Sequence, residues 1–148
     1  MYFTNFPNGL TGYKRWSNGG FLTLSFPGGQ LTNPTSINDS GVVVGGYSPA
    51  SGSTNGFIYH SGSWAKLKFP NSTSTTLVGI DNAGAIIGNA LMPNSTSTPF
   101  LYENGVFKVI SVPGASANST TLSGISPKSG LIVGTAGLNT GGFIAECQ

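Results

Sequence analysis

The sequence predicts an all-β chain of three tandem four-stranded repeats, propeller-like blades whose end strands are split off, and three observations carry that prediction. The first is composition. Of 148 residues, 23 are Gly and 9 are Pro, and only 7% are charged. The runs of Leu, Glu, Lys and Ala that helices need are absent. At 38% hydrophobic and 11% aromatic, the chain is too apolar to stay disordered. The second is self-similarity at a spacing of 43 residues, which aligns segments 14–56, 57–99 and 100–142. The third is local pattern, best seen in the middle copy.

There FIYH (57–60) reads as the first strand and HSGS (60–63) as a tight turn. WAKLKF (64–69) alternates apolar and polar residues, the period of a half-buried strand, and Pro70 ends it because proline has no N–H for a ladder. TLVGI (76–80) and AIIGNA (85–90) are strands three and four. DNAG (81–84) joins them as a hairpin, with Asp81 bonding its own backbone and Gly84 supplying a positive φ. The other copies repeat the design. Phe21, Trp64 and Phe107 stack in the alignment, as do Leu24, Leu67 and Ile110, then Phe26, Phe69 and Val112, each followed by Pro27, Pro70 or Pro113. Phe57, Phe100 and Phe143 share one position, which Lys14 holds in the first copy. SINDSGVVVG, GIDNAGAIIG and GISPKSGLIVG align with small insertions in the third copy. The runs Val42–Val44, Ile86–Ile87 and Ile132–Val133 predict strands covered on both faces.

These residues resemble the HAF-type extracellular repeats of bacteria, whose pattern runs G-x-x-H-A-F-L, a Gly turn, a strand, then G-I-N-x-x-G-x-V-V-G. It stands here as NGFIYHSGSWAKLKFP with GIDNAGAIIG, and as PFLYENGVFKVISVPG with GISPKSGLIVG, over about residues 12–145. Asn55-Gly56 and Thr98-Pro99 replace the family's frequent His-Ala pair. The resemblance implies a propeller-like, secreted or surface-exposed repeat protein, and it implies no reaction.

The length suits a single repeat domain, 1–148. A propeller takes about four to eight blades, whereas a β-trefoil closes with three copies and is the alternative. Against the trefoil, strand-like pieces are left over at 1–13 and 143–148. They predict exposed edges that recruit a second copy, giving a head-to-tail ring or filament.

Chemistry-bearing residues are scarce: one His, one Cys and four acids. His60 has no companion in sequence and reads as an exposed turn residue. Asp39 and Asp81 read as turn formers, not as an acid–base pair or a calcium site. Glu103 and Glu146 offer no better partnership. The expectation is a non-enzymatic protein with no metal and no cofactor. Two site candidates remain. Trp16, Tyr59 and Tyr102 share one position at the turn end of a strand, and flat amphipathic rings beside Asn and Ser suit a glycan face. Asn38, Asn71, Asn94 and Asn118 each open an N-x-S/T triplet, the acceptor pattern for glycosylation, while Pro34 spoils that of Asn33. Cys147 offers an intermolecular bridge in an oxidising setting. A net charge of +2 with scattered Lys and Arg argues against nucleic acid, and no apolar run is long enough for a membrane helix. The opening MYFTNFPNG has neither the basic nor the apolar region of a signal peptide, yet the hydroxyl- and amide-rich composition suggests an extracellular or cell-surface setting. The expected function is a structural or adhesive module that self-associates through its terminal strands. A monomeric lectin-like module is the alternative.

Overall fold

Alternating and β-branched segments of this chain fold as strands, joined by turns whose residues tolerate positive φ. The computed structural model describes residues 5–6, 9–10, 12–116, 118–137 and 141–146, and no helix occurs among them. β1 (Asn5–Phe6) pairs with β2 (Gly9–Leu10), and β3 (Gly12–Arg15) with β4 (Phe21–Leu24). Sheet I contains β5 (Gly29–Ile37), β6 (Val43–Pro49), β7 (Asn55–His60) and β8 (Ser63–Leu67). Sheet II contains β9 (Ser74–Ile80), β10 (Ile86–Leu91), β11 (Ser97–Glu103) and β12 (Val106–Val109). Sheet III contains β13 (Thr121–Ile125), β14 (Ile132–Ala136) and β15 (Gly141–Ala145). All are antiparallel meanders. No ladder joins one sheet to the next among the described residues, so they form no closed barrel, which a trefoil requires.

The turns follow their chemistry. Ser61-Gly62 and Asn104-Gly105 both carry two positive φ angles, the geometry of the two-residue hairpin turn between β7 and β8 and between β11 and β12. Asp81 acts as expected: its Oδ1 accepts from the Ala85 N–H at 2.8 Å, and Gly84 takes φ 92°. Asn38, the residue aligned with it, accepts from the Val42 N–H at 3.0 Å.

The four-strand period is therefore legible, but the sheets are out of phase with the sequence copies by two strands. Each complete sheet takes the last two strands of one copy and the first two of the next, and the break falls at Phe69-Pro70. The physical reason lies beyond Pro70. The Phe69 N–H donates not to a ladder but to Thr75 Oγ1 at 3.0 Å, and the Phe69 ring lies 5.2 Å from that of Phe100 and 5.3 Å from that of Phe107. The same arrangement recurs one period earlier, where the Phe26 N–H donates to Thr32 Oγ1 at 2.9 Å. Both threonines are buried, so each hydroxyl satisfies an amide that would otherwise cost about 1–3 kcal/mol unpaired.

A β-bulge marks the first strand of each of sheets I, II and III. Thr35, Val78 and Ser123 are the extra residues at equivalent places, each left unpaired opposite the second strand, and β5 has a second such irregularity at Gln30. The glycine beside the bulge, Gly45, Gly88 or Gly134, has no room for a side chain: a Cβ on Gly88 would stand 2.5 Å from Phe100 Cζ and 2.6 Å from the Thr76 carbonyl.

Packing runs from sheet to sheet. Val43 belongs to a cluster with Leu24, Phe26, Tyr47, Phe57 and Tyr59, while its neighbour Val44 belongs to another with Leu77, Ile80, Ile86 and Phe100. Ile86 and Ile87 divide in the same way between that cluster and a third with Leu101, Leu122 and Ile132. Adjacent residues of β6 and β10 thus face opposite sides, and both sides are covered. Each such buried side chain contributes about 1.5–3 kcal/mol. Hydrogen bonds hold the sheets in register. Asn38 Nδ2 donates to the Asp81 carbonyl at 2.9 Å, Asn82 Nδ2 donates to Asp39 Oδ2 at 2.7 Å, and the Asn82 N–H donates to the Pro127 carbonyl at 2.8 Å. Between sheets II and III, Asn89 exchanges two bonds of 3.0 Å with the backbone of Leu122.

Candidate functional site

The internal repeat allows equivalent residues to be compared in covered and uncovered surroundings. Val44 of β6, Ile87 of β10 and Val133 of β14 hold one position. The first two are 0% exposed and the third is 42% exposed. On the adjoining strand Ile58 is half-buried and Leu101 is buried, whereas Ile144 is 74% exposed. Sheet I is covered here by β9, and sheet II by β13; nothing among the described residues covers sheet III.

The opposite end of the row is open in a complementary way. Ile80 of β9, 2% exposed, packs on sheet I, but its equivalent Ile37 of β5 is 47% exposed. Where sheet I meets β9 through β5, β6 and β7, and sheet II meets β13 through β9, β10 and β11, β5 meets only the short strand β2 and β3 of the β3–β4 hairpin among the described residues. Tyr13, Lys14, Leu24, Pro34, Ile37 and Val43 line a cleft of about 180 Å³ between them. The hairpin is anchored by the buried Leu24 and by Lys14 Nζ, which donates to the Gly41 carbonyl at 3.1 Å. Lys14 stands where the other copies have Phe57 and Phe100, on which Trp64 and Phe107 pack, and Phe21 meets only Tyr13 edge-on at 6.4 Å among the described residues and is exposed. Two apolar faces, one at each end, are the most distinctive surface this chain offers.

The glycan candidates fare differently from one another. Trp16 is exposed, with Lys14 Nζ 5.9 Å from its ring centre. Tyr59 is buried and leans on Trp64 at 4.7 Å, and Tyr102 is half-buried against Phe107 at the same distance. Both tyrosines serve the aromatic cluster of their own sheet, so the three rings do not form one sugar-binding face, and a buried Tyr59 has no surface to offer a glycan. Among the triplets, Asn71, Asn94 and Asn118 are exposed in turns. Asn94 Oδ1 accepts from both the N–H and the hydroxyl of Thr96, at 3.1 and 2.7 Å. Asn38 is corrected as an acceptor: it is buried and its amide nitrogen is committed to Asp81, so it is a structural clasp. His60 is exposed at the end of β7, and Asp39 is engaged by Asn82. Among the described residues, no group of three His, Cys, Asp or Glu is placed to hold a metal ion. Among them, too, no helix is long and apolar enough to cross a membrane. Cys147 lies outside the described residues.

Sequence reasoning missed Val133, Ile144 and Ile37 as site residues. The signal was present in the alignment: a β-branched run that needs cover on both faces lacks a following copy at one end and a preceding one at the other. Comparison with protein-family models gives no match, and none of significance is found among curated proteins or solved structures.

Proposed function

We propose that this chain is a non-enzymatic structural or adhesive protein of the extracellular space or cell surface. Its sheets act as propeller-like blades, and its two open ends join copies head to tail into a ring or filament. One observation carries the reading: positions buried between sheets inside the chain are exposed at both ends, on faces of complementary origin. Exposed apolar faces of this kind mark interaction sites, and a contact between two different patches of one molecule is heterologous, so it closes into a ring or runs on as a fibre. The low charge and the abundance of Ser, Thr and Asn support the extracellular setting. Glycans on the exposed turns of Asn71, Asn94 and Asn118 are compatible with it, since none of the three belongs to an end face.

Negative-stain electron microscopy of the purified chain tests the assembly. Rings or filaments are expected, and fields of isolated small particles at every concentration would contradict it. Protease shaving of intact producing cells tests the location: loss of the protein without lysis is expected, and full protection contradicts a surface role.

A further inference from the structure

The junction between sheets I and II and the junction between sheets II and III are built from equivalent residues, and they differ in charge. At the first, Asn38 Nδ2 donates to the Asp81 carbonyl, and His60 ends β7. One period on, those two positions hold Asp81 and Glu103, and Glu146 repeats the position of Glu103 just past β15. Three of the chain's four acids therefore line one pocket of about 120 Å³ between sheets II and III, beside the apolar Leu101 and Ile132. Asp81 is only 7% exposed. Its Oδ1 is taken by the Ala85 N–H at 2.8 Å, but its Oδ2 accepts from no donor among the described residues. That oxygen turns toward Gly130, another residue of the pocket wall, where even an added Cβ would stand 3.6 Å away. Where Asn38 offers the next sheet a donor, Asp81 offers only an acceptor. A buried carboxylate oxygen without a donor is costly, and a cationic donor in the pocket removes that cost.

We infer that this pocket binds a primary alkylammonium group, carried by a free amine or by a lysine side chain. An ammonium has three N–H donors, which matches Asp81 Oδ2 with the carboxylates of Glu103 and Glu146. Leu101 and Ile132 supply an apolar wall for the carbon that carries the nitrogen. A bare metal ion fits poorly. Calcium takes about six to eight oxygens at about 2.3–2.6 Å, and among the described residues no three acids are placed to hold a metal ion. The space also exceeds the about 10–15 Å³ that a single water needs. Lys108 Nζ stands 3.3 Å from Glu103 Oε2 but is exposed and is not part of the pocket wall, so it engages one of the three acids from outside. The site involves Ile132 and not the uncovered face at Val133, so it does not depend on the end faces meeting another copy.

The test is titration calorimetry of the full chain with ethylammonium chloride and, separately, with Nα-acetyl-lysine N-methylamide. Saturable binding of at least one is expected, with none of tetramethylammonium, which has no N–H, and none of calcium. Tighter binding of the lysine derivative assigns the site to a side chain of another protein, and tighter binding of ethylammonium assigns it to a free amine. Asp81→Asn is the decisive variant. Asn38 shows that an amide serves this turn, so the native circular dichroism is kept while the acceptor facing the pocket is lost. Affinity is expected to fall about tenfold or more, the loss of a charge-assisted bond. The double variant Glu103→Gln, Glu146→Gln alters residues outside the buried core and is expected to weaken binding by at least as much, so the site remains testable if Asp81→Asn fails to fold. Silence with both amines overturns the site. Equal binding by the parent and by both variants places the amines elsewhere and overturns it too. Binding of tetramethylammonium as tight as that of ethylammonium, or of calcium in place of the amines, overturns the ammonium reading.

Discussion

Gly88→Ala is the substitution whose cost follows most closely from the geometry. The added methyl would lie 2.5 Å from Phe100 Cζ and 2.6 Å from the Thr76 carbonyl oxygen. Phe100 is fully buried among Val44, Leu77, Phe69 and Phe107, so its ring has nowhere to swing. The Thr76 oxygen belongs to the neighbouring strand, which would have to move with its ladder. Overpacking a core by a methylene costs about 1–3 kcal/mol, and a clash with backbone places this case at the top of that range. At about 2–4 °C per kcal/mol for a chain of this size, about 3 kcal/mol lowers the melting temperature by about 6–12 °C. Gly124→Ala is the internal control. It too lies beside a bulge, next to Ser123, but its nearest neighbour would be Val133 Cγ2 at an ordinary 3.6 Å. Its expected effect is a change of at most about 1 kcal/mol, with a gain favoured by the reduced freedom of the unfolded chain. Urea and thermal unfolding followed by circular dichroism measure both, at one protein concentration so that any self-association shifts the midpoints alike. A Gly88→Ala melt within about 2 °C of the parent, or a Gly124→Ala loss as large as that of Gly88→Ala, would falsify the claim that backbone crowding beside the bulge fixes Gly88.

Other expectations rest on separate features. Ile87→Ala should cost about 2–5 kcal/mol in denaturant unfolding, whereas Val133→Ala in the dissociated chain should cost under about 0.5 kcal/mol; equal losses would mean that the end face is covered. Thr75→Val should cost about 1–3 kcal/mol by stranding the Phe69 N–H, and Thr75→Ser should restore most of it. A harmless Thr75→Val would show that the hydroxyl holds nothing in place. Expressed in a host that glycosylates N-x-S/T triplets, the chain should carry sugars only among Asn71, Asn94 and Asn118. Peptide mass mapping that finds a glycan on Asn38 in folded protein contradicts its buried placement.

Much of this architecture is local, and that part was readable in the sequence. The Asp81–Gly84 turn is decided within a few residues and appears as expected. A strand forms at WAKLKF, but β8 spans Ser63–Leu67, ends before Pro70 is reached, and exposes both Ala65 and Lys66 where alternation was expected. The grouping of strands into sheets is not local. The break at Phe69-Pro70 depends on a ring that lands on Phe100 and Phe107 and on a hydroxyl from Thr75, none of which a repeat alignment orders in space. The bulges escaped notice because Thr35, Val78 and Ser123 have no chemistry in common. Trp16, Tyr59 and Tyr102 show the limit of reasoning by equivalence. Their shared spacing predicts a shared role, but Lys14 in place of a phenylalanine leaves Trp16 outside an aromatic cluster that buries Tyr59. In the same way Val133 reads like Val44 in sequence and differs only in what lies against it. Site residues defined by a missing neighbour are invisible to composition and visible only when copies are compared in place.

Whether the two end faces meet on another copy is decided by the solution mass of the unmodified chain, measured by light scattering over a wide range of concentration. If they meet head to tail, the mass rises above 15.1 kDa as concentration increases. A mass that stays at 15.1 kDa throughout would contradict the pairing, because Val133 and Ile37 would then be apolar surface with no partner of their own kind.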